Sequence, residues 1–371
     1  MNHPLKNMKR SILFICYFLF ISFLSTAKVI RVGIAGMTHN HVYQAFEYMG
    51  KRDDVVIVGF AESNKELALR LLKQHNLPDS LWFPTLDELI KKTKPEAVCA
   101  FNSIFEHLEV VKICAPKGIH VIVEKPLAVN NDHLKLMQAL VKKHNIHLLT
   151  NYETTWYASH AKMWDMVKKE KSLGTIRKVV IMDGHQGPKE IGCSKEFLDW
   201  LTDPIQNGGG ALIDFGCYGA DIMTWLMDGQ KPISVTAVTQ QLKPDVYPKV
   251  DDEASIILTY PTCQAIIQAS WNWSYGRKDT EVYGTKGVLI ANSKNKMSYV
   301  STDQPNNQTW IDLSPLPNNR ANIFSYLSAV INGNIKPEKD LSSFPVNEVV
   351  VEILSAARES AKTGKTIYLS K

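Results

Sequence analysis

The chain has 371 residues, enough for two domains, with 42 Lys+Arg against 37 Asp+Glu and 45% apolar residues. Three of those bases (Lys6, Lys9 and Arg10) precede an uncharged run over 11–24, leaving 39 bases to 37 acids in the rest of the chain. So even a balance gives no electrostatic case for nucleic acid or an anionic membrane as a partner.

The opening stretch, with small residues at 25–27 after the apolar run, has the pattern of a secretory signal. Residues 1–27 are expected to be removed and the protein to be exported, periplasmic or extracellular. The run is shorter than the roughly 20 residues a membrane-spanning helix needs, so no stable span is expected after cleavage; a retained anchor is the alternative. Five cysteines remain, at 99, 114, 193, 217 and 263. They show neither a disulfide framework nor metal-ligand spacing, and no metal is expected.

Residues 28–150 alternate strand and helix. Strands are expected over 29–35, 55–61, 97–101, 119–123 and 147–150, and helices from 42 to about 49 and over 65–75, 86–92, 107–117 and 131–143. Gly118 closes the fourth helix as a C-terminal glycine. Strict alternation implies a doubly wound parallel sheet, a Rossmann domain. The fourth of these strands, β-branched and buried on both faces, ends in Glu124, Lys125 and Pro126. Pro126 has no N–H for a ladder, so the charged pair sits at the strand's carboxyl end, where open α/β sheets hold ligands. A surface ion pair is the bland alternative.

The loop after the first strand is where a dinucleotide's pyrophosphate would rest on a helix N-terminus. Of the G-x-G-x-x-G fingerprint only Gly36 is present; Thr38 and His41 occupy the other two places. Thr38 can give its hydroxyl to a phosphate oxygen, and His39 can lie over the pyrophosphate. Glu62 ends the second strand, where an acid accepts the ribose hydroxyls of NAD and repels the extra phosphate of NADP. A helix N-terminal carboxylate is the ordinary alternative.

The order Gly36 loop, Glu62, Asn102 and His107, then Glu124-Lys125-Pro126, resembles the Gfo/Idh/MocA oxidoreductases over essentially the whole mature chain. The resemblance implies that Glu124 and Lys125 lie beside a nicotinamide, with Lys125 on the substrate hydroxyl, and that Asn102 and His107 belong to a loop contacting the cofactor. It departs from the family's pattern in the Gly36 loop. The expected cofactor is NAD rather than NADP.

From residue 151 the pattern changes to an α+β domain, 151–345, with an open and mainly antiparallel sheet. A helix is expected over 161–169, strands over 176–182, 233–240, 254–260, 263–271, 280–283 and 287–291, and an exposed loop over 301–319. A final helix at 346–363, in a segment running to 371, is expected to pack back on the first domain. His185 lies in a polar turn and is either a substrate contact or a turn histidine. Gly208, Gly209 and Gly210 lead into a helix carrying Asp214, Tyr218 and Asp221 on one face by their four- and three-residue spacing, a polar site. The family commonly has histidine at the Tyr218 position. Lysine and tyrosine have reference pKa values near 10.4 and 10, so Lys125 needs a lowered value to act as acid/base; a cationic nicotinamide and burial push that way. Tyr218 is then a hydrogen-bond donor or alternate acid, with Asp214 beside it. Trp271, Trp273, Tyr275 and Arg277 form either a carbohydrate-stacking rim, with Arg277 a substrate contact, or an interface.

The leading expectation is an NAD-dependent oxidoreductase of a sugar or polyol, homo-oligomeric through its second sheet. One alternative is a glycoside-cleaving enzyme that oxidises, eliminates and re-reduces on tightly held NAD. The other is a carbohydrate-binding protein whose cofactor loop has lapsed.

Overall fold

The computed structural model describes residues 28–370; the expected signal segment lies outside them. Six parallel strands form the first sheet: β1 (Ile30–Ala35), β2 (Val55–Ala61), β3 (Trp82–Phe83), β4 (Ala97–Ala100), β5 (His120–Glu124) and β6 (Leu148–Asn151). Their order is β3-β2-β1-β4-β5-β6, and the crossovers are helices, as the alternation requires. Register fixes the site. Ala35 pairs with Ala61 and Ala100, Ala100 with Val123, and Glu124 with Asn151. The carboxyl ends therefore align, and Gly36, Glu62, Asn102, Lys125 and Asn151 share one rim of the sheet.

The second sheet has nine strands: β7 (Ile176–Gly184), β8 (Ser234–Gln240), β9 (Glu253–Thr259), β10 (Gln264–Ser270), β11 (Arg277–Gly284), β12 (Gly287–Ser293), β13 (Lys296–Ser301), β14 (Gln308–Asp312) and β15 (Ile367–Tyr368). Their order is β14-β13-β12-β11-β7-β10-β9-β8-β15. All pairings are antiparallel except β7 with β10. Helices Gly216–Leu226 and Phe344–Thr363 cover one face, burying Val179, Ile181, Ile256, Leu258, Ala265 and Ile267 in one core. On each strand the alternate residues face the other way, and there Val180, Met182, Ile257 and Ile266 are only partly covered while Val238 is exposed.

The chain does not divide at a single point. Helix Ile323–Ile331, which follows the second sheet's strands, packs on the first sheet, where Ile323, Phe324 and Leu327 join Ile30, Ile57 and Phe60. The last helix differs from expectation. It lies mainly on β8 and on Gly216–Leu226, reaching the first domain through helix Asn131–His144 and β6, with Gln138 Nε2 donating to Glu348 Oε1 at 2.8 Å. Its buried residues, Val346 to Ser360, form a broad face, while Glu348, Glu352, Ser355 and Glu359 leave one side partly uncovered, the pattern of a helix packed on two neighbours at once.

Candidate active site

Three cavities follow the rim. The first, about 420 Å³, lies between the Gly36 loop, Glu62, Asn64, Thr85, Asn102 and Glu106. Gly36 has φ +78°, and a Cβ there would stand 2.5 Å from Asn102 Cβ; the turn and the close approach both demand glycine. Thr38 Oγ1 and Asn102 Oδ1 are buried with no partner among the described residues. Unpaired buried polar atoms are costly, so two of them at one cavity favour a polar ligand that satisfies both. Glu62 accepts from Met37 N and Asn64 N, each at 2.8 Å, and burial raises its pKa. It therefore ties the Gly36 loop to the start of helix Lys65–Gln74 while still lining the cavity. These residues fit a dinucleotide.

The second cavity, about 270 Å³, is lined by His39, His41, Lys125, Glu153, His185, Cys193, Asp214, Tyr218 and Lys278 among others. Lys125 Nζ donates to Asp214 Oδ1 and, at 3.0 Å, to Asp214 O. Trp271 Nε1 holds Asp214 Oδ2 at 2.9 Å. Burial alone would lower the Lys125 pKa, but the Asp214 carboxylate outweighs it and the net shift is upward. This corrects the expected direction: at rest Lys125 is a cation. Asp214 in turn is held below its ordinary range, the ammonium overcoming burial. Burial pushes the Tyr218 phenol well up, so it is a donor.

Asp214 and Tyr218 line one cavity although the helix breaks between them. Asp251 carboxylate oxygens accept from Gly210 N and Leu212 N at 2.9 and 2.7 Å, starting a short turn, Ala211–Asp214. Gly210 has no room for a side chain, since a Cβ would meet Asp251 O at 1.8 Å. Helix Gly216–Leu226 then begins afresh. Asp221 is not on the shared site. It is fully buried on that helix, lines none of the three cavities, and burial raises its pKa well above the ordinary value; it shares the helix with Tyr218, but the three-residue spacing turns it into the core rather than the cavity. His107 also differs: it is fully buried, with Nδ1 at 3.2 Å from Leu127 O, and supports the turn after Pro126 without reaching a cavity.

Glu124 is fully buried, with Oε2 3.1 Å from His41 Nδ1 and Oε1 accepting from Asn151 Nδ2 at 2.7 Å. Burial would raise its pKa, yet the flanking His41 and His39 and the hydrogen bonds from His41 and Asn151 prevail, and the carboxyl stays ionised. His39, His41 and Glu124 offer ligand atoms within 4.8 Å of one another, a grouping their sequence positions did not suggest. His39 Nδ1, however, accepts from His41 N at 3.0 Å. A neutral imidazole carries its one hydrogen on the other nitrogen, so His39 Nε2 is protonated and is no ligand. Phe197 and Trp200 of helix Lys195–Leu201 pack on the His39 ring at 4.7 and 5.5 Å, closing the loop under the second domain.

The third cavity, about 320 Å³, shares Glu153, His185, Phe215 and Lys278 with the second and extends to Arg277 and Lys294. His185 is thus at the junction, its Nδ1 accepting from Gly187 N at 2.9 Å. Arg277 pairs with Asp279 and stands over Trp273 and Tyr275 at 5.6 and 5.9 Å, whereas Trp271 is core. Glu153, Lys278 and His41 are cavity residues that reasoning from sequence did not name as site residues. Lys278 follows Arg277 on β11 and bonds Glu153; only the His41 position, inside the fingerprint, carried a readable signal.

Residues 30–152 match the oxidoreductase family with NAD-binding Rossmann fold, Gfo/Idh/MocA, and residues 160–290 match the Gfo/Idh/MocA C-terminal domain. The chain belongs to the Gfo/Idh/MocA family. It is therefore an NAD-binding oxidoreductase, which removes the binding-protein alternative. Among Gfo/Idh/MocA relatives, trans-1,2-dihydrobenzene-1,2-diol dehydrogenase of Xenopus laevis is 27% identical over 239 residues, 64% of this chain and 67% of that protein. The human enzyme of the same name is 23% identical over 268 residues, 70% and 72% of the two chains. In structure, aldose-aldose oxidoreductase from Caulobacter crescentus, complexed with glycerol, aligns with TM-score 0.77 at 20% identity over 92% of this chain and 100% of that one. The WlbA dehydrogenase from Bordetella pertussis, with NADH and UDP-GlcNAcA, gives 0.74 at 17% over 93% and 98%.

Proposed function

We propose that this Gfo/Idh/MocA protein is an exported NAD-dependent dehydrogenase of a sugar, polyol or related vicinal diol. The observation that carries it is the Lys125–Asp214 pair beside Tyr218, three polar groups in one cavity at the carboxyl rim of the nucleotide-binding sheet. Gly36, Thr38, Asn102 and Glu62 would hold NAD, which when bound accepts or returns a hydride. His39 lines the adjoining wall, with Glu124 buried behind it. Lys125 gives a hydrogen bond to the substrate oxygen that becomes a carbonyl, and its charge stabilises that oxygen as negative charge develops. Asp214, fixed by Trp271, keeps the ammonium aimed and protonated. Tyr218 donates a second hydrogen bond, and His185 and Arg277 bound the far end of the substrate space. Relatives named for diols and aldoses support the substrate class.

The glycoside-cleaving alternative draws on one observation, the third cavity opening from the second, which gives room for a group beyond a single ring. Export rests on the leader pattern, and a homo-oligomer on the partly uncovered apolar face of the second sheet. Sedimentation of the mature protein would give a dimer or larger; a monomer at micromolar concentration removes that part. For activity, protein of residues 28–371 is denatured and its released NAD(H) counted. It is then assayed for NADH formation with D-glucose, D-xylose, myo-inositol and trans-1,2-cyclohexanediol, and with cellobiose without added NAD. NADH from a hydroxyl compound supports the dehydrogenase. Cleavage of cellobiose on bound cofactor supports the alternative, and neither reaction nor NAD binding overturns both.

A further inference from the structure

Oxidising a carbinol leaves its hydroxyl proton to be taken up, and the Lys125 cavity contains many groups that cannot accept it. Lys125 and Lys278 are engaged in ion pairs with Asp214 and Glu153. Those two carboxylates are engaged in return, and both are weaker bases than ordinary carboxylates. Tyr218 and Cys193 hold their protons, burial raising both. His39 and His185 each spend Nδ1 on a backbone N–H, of His41 and Gly187 respectively, so each presents a protonated Nε2.

His41 is the exception. Its Nδ1 faces the ionised Glu124 at 3.1 Å, which makes Nδ1 the protonated nitrogen and leaves Nε2 with a free lone pair. The ring is 31% exposed and belongs to the same cavity wall as Lys125 and Tyr218. Glu124, completely buried and fixed from its other side by Asn151 and through it by Trp156 Nε1 at 3.0 Å, repeats the arrangement by which a buried carboxylate sets a histidine's tautomer and steadies its imidazolium. Imidazole is also the side chain that ordinarily exchanges protons near neutrality.

We infer that His41, oriented by Glu124, is the catalytic base that takes the substrate's hydroxyl proton on Nε2. This rests on the dehydrogenase reading above. The C–H bond breaks with its electron pair leaving as hydride to NAD, the O–H bond breaks, the carbonyl forms, and the proton stays on Nε2 until water removes it at the exposed ring edge. In the reverse direction the imidazolium returns it. Lys125 is then the electrostatic partner of the oxygen, and the base role expected of it passes to His41.

The test has two parts. Nitrogen NMR of histidine-labelled mature protein, without substrate, reads the tautomer directly: His41 protonated at Nδ1 is expected, and an Nε2-protonated His41 overturns the inference whether or not a substrate is known. With any compound of the panel that forms NADH, His41→Ala should lose about 10²- to 10⁴-fold in kcat, keep its NAD dissociation constant within about threefold, and regain part of the rate with added imidazole. His41→Asn, which preserves a polar side chain, should lose kcat equally. Retained kcat in either variant, or loss of NAD binding with no imidazole rescue, assigns His41 a structural role and overturns the inference. If wild-type protein oxidises nothing in the panel, the dehydrogenase reading fails, while the NMR result still decides the tautomer.

Discussion

The two cavities that flank the Gly36 loop are built on opposite principles. In the first, Thr38 Oγ1 and Asn102 Oδ1 await a partner; in the second, Lys125, Asp214, Glu153 and Lys278 are already paired by protein. The difference teaches where each pays its polar cost. A dinucleotide completes the first cavity on arrival, so binding and order come together. The second is ordered beforehand, so charge developing on a substrate meets fixed donors.

The largest expected effect is at the ion pair. Lys125→Met should lower kcat by at least about 10³-fold while bound NAD(H) persists, and should destabilise the fold by about 3–5 kcal/mol because Asp214 is left buried and unpaired. Adding Asp214→Leu should restore most of the stability, read by denaturant titration, and none of the activity. If Lys125→Met alone is fully stable, the second cavity is not preorganised as described. Next, Gly36→Ala should abolish measurable NAD binding through its positive φ and the clash with Asn102, with a stability loss of about 1–2 kcal/mol. Thr38→Val sharpens the contrast from the other side. It should weaken NAD binding by up to about tenfold, one hydrogen bond's worth, yet leave the apo protein as stable as before, since the lost hydroxyl had no partner. The smallest effect concerns acid. Glu153 is held at about 2, Lys278 overcoming burial; a depressed carboxyl contributes stability above its ordinary value near 4.5 that is lost as pH falls toward 2. Melting of Glu153→Gln should therefore depend less steeply on pH across that window, modestly so because the side chain is partly exposed.

Much of the first domain could be read from the chain because buried parallel strands are apolar throughout and helices close on glycine and polar caps. β5 with Glu124 and Lys125 is the clearest case: a β-branched run stopped by Pro126. Strand β14 was hidden inside the expected loop over 301–319, and β13 just before it was not expected, since an edge strand such as β14 is mostly exposed and shows no apolar alternation. Helix Lys195–Leu201 was also absent from the reading, although Phe197, Trp200 and Leu201 have helical spacing and Ser194 caps it. In the site, Asp214 and Tyr218 could be found from spacing although the helix breaks between them; Asp221, on the same helix as Tyr218, was carried along by the periodicity but is buried away from the cavity. The direction of the Lys125 shift was beyond local sequence because its controlling charge is Asp214, 89 residues away, not the adjacent Glu124.

Helix Ile323–Ile331 has one more consequence. It comes late in the chain yet covers the face of the first sheet formed by Ile30, Ile57 and Phe60, with Ser328 Oγ donating to Asp54 O. The nucleotide-binding half therefore cannot be sealed until the chain has been made through residue 331. The halves are not interchangeable cassettes: a chimera joined near residue 152 would graft a foreign lid onto that face, and a fragment ending there would be sticky.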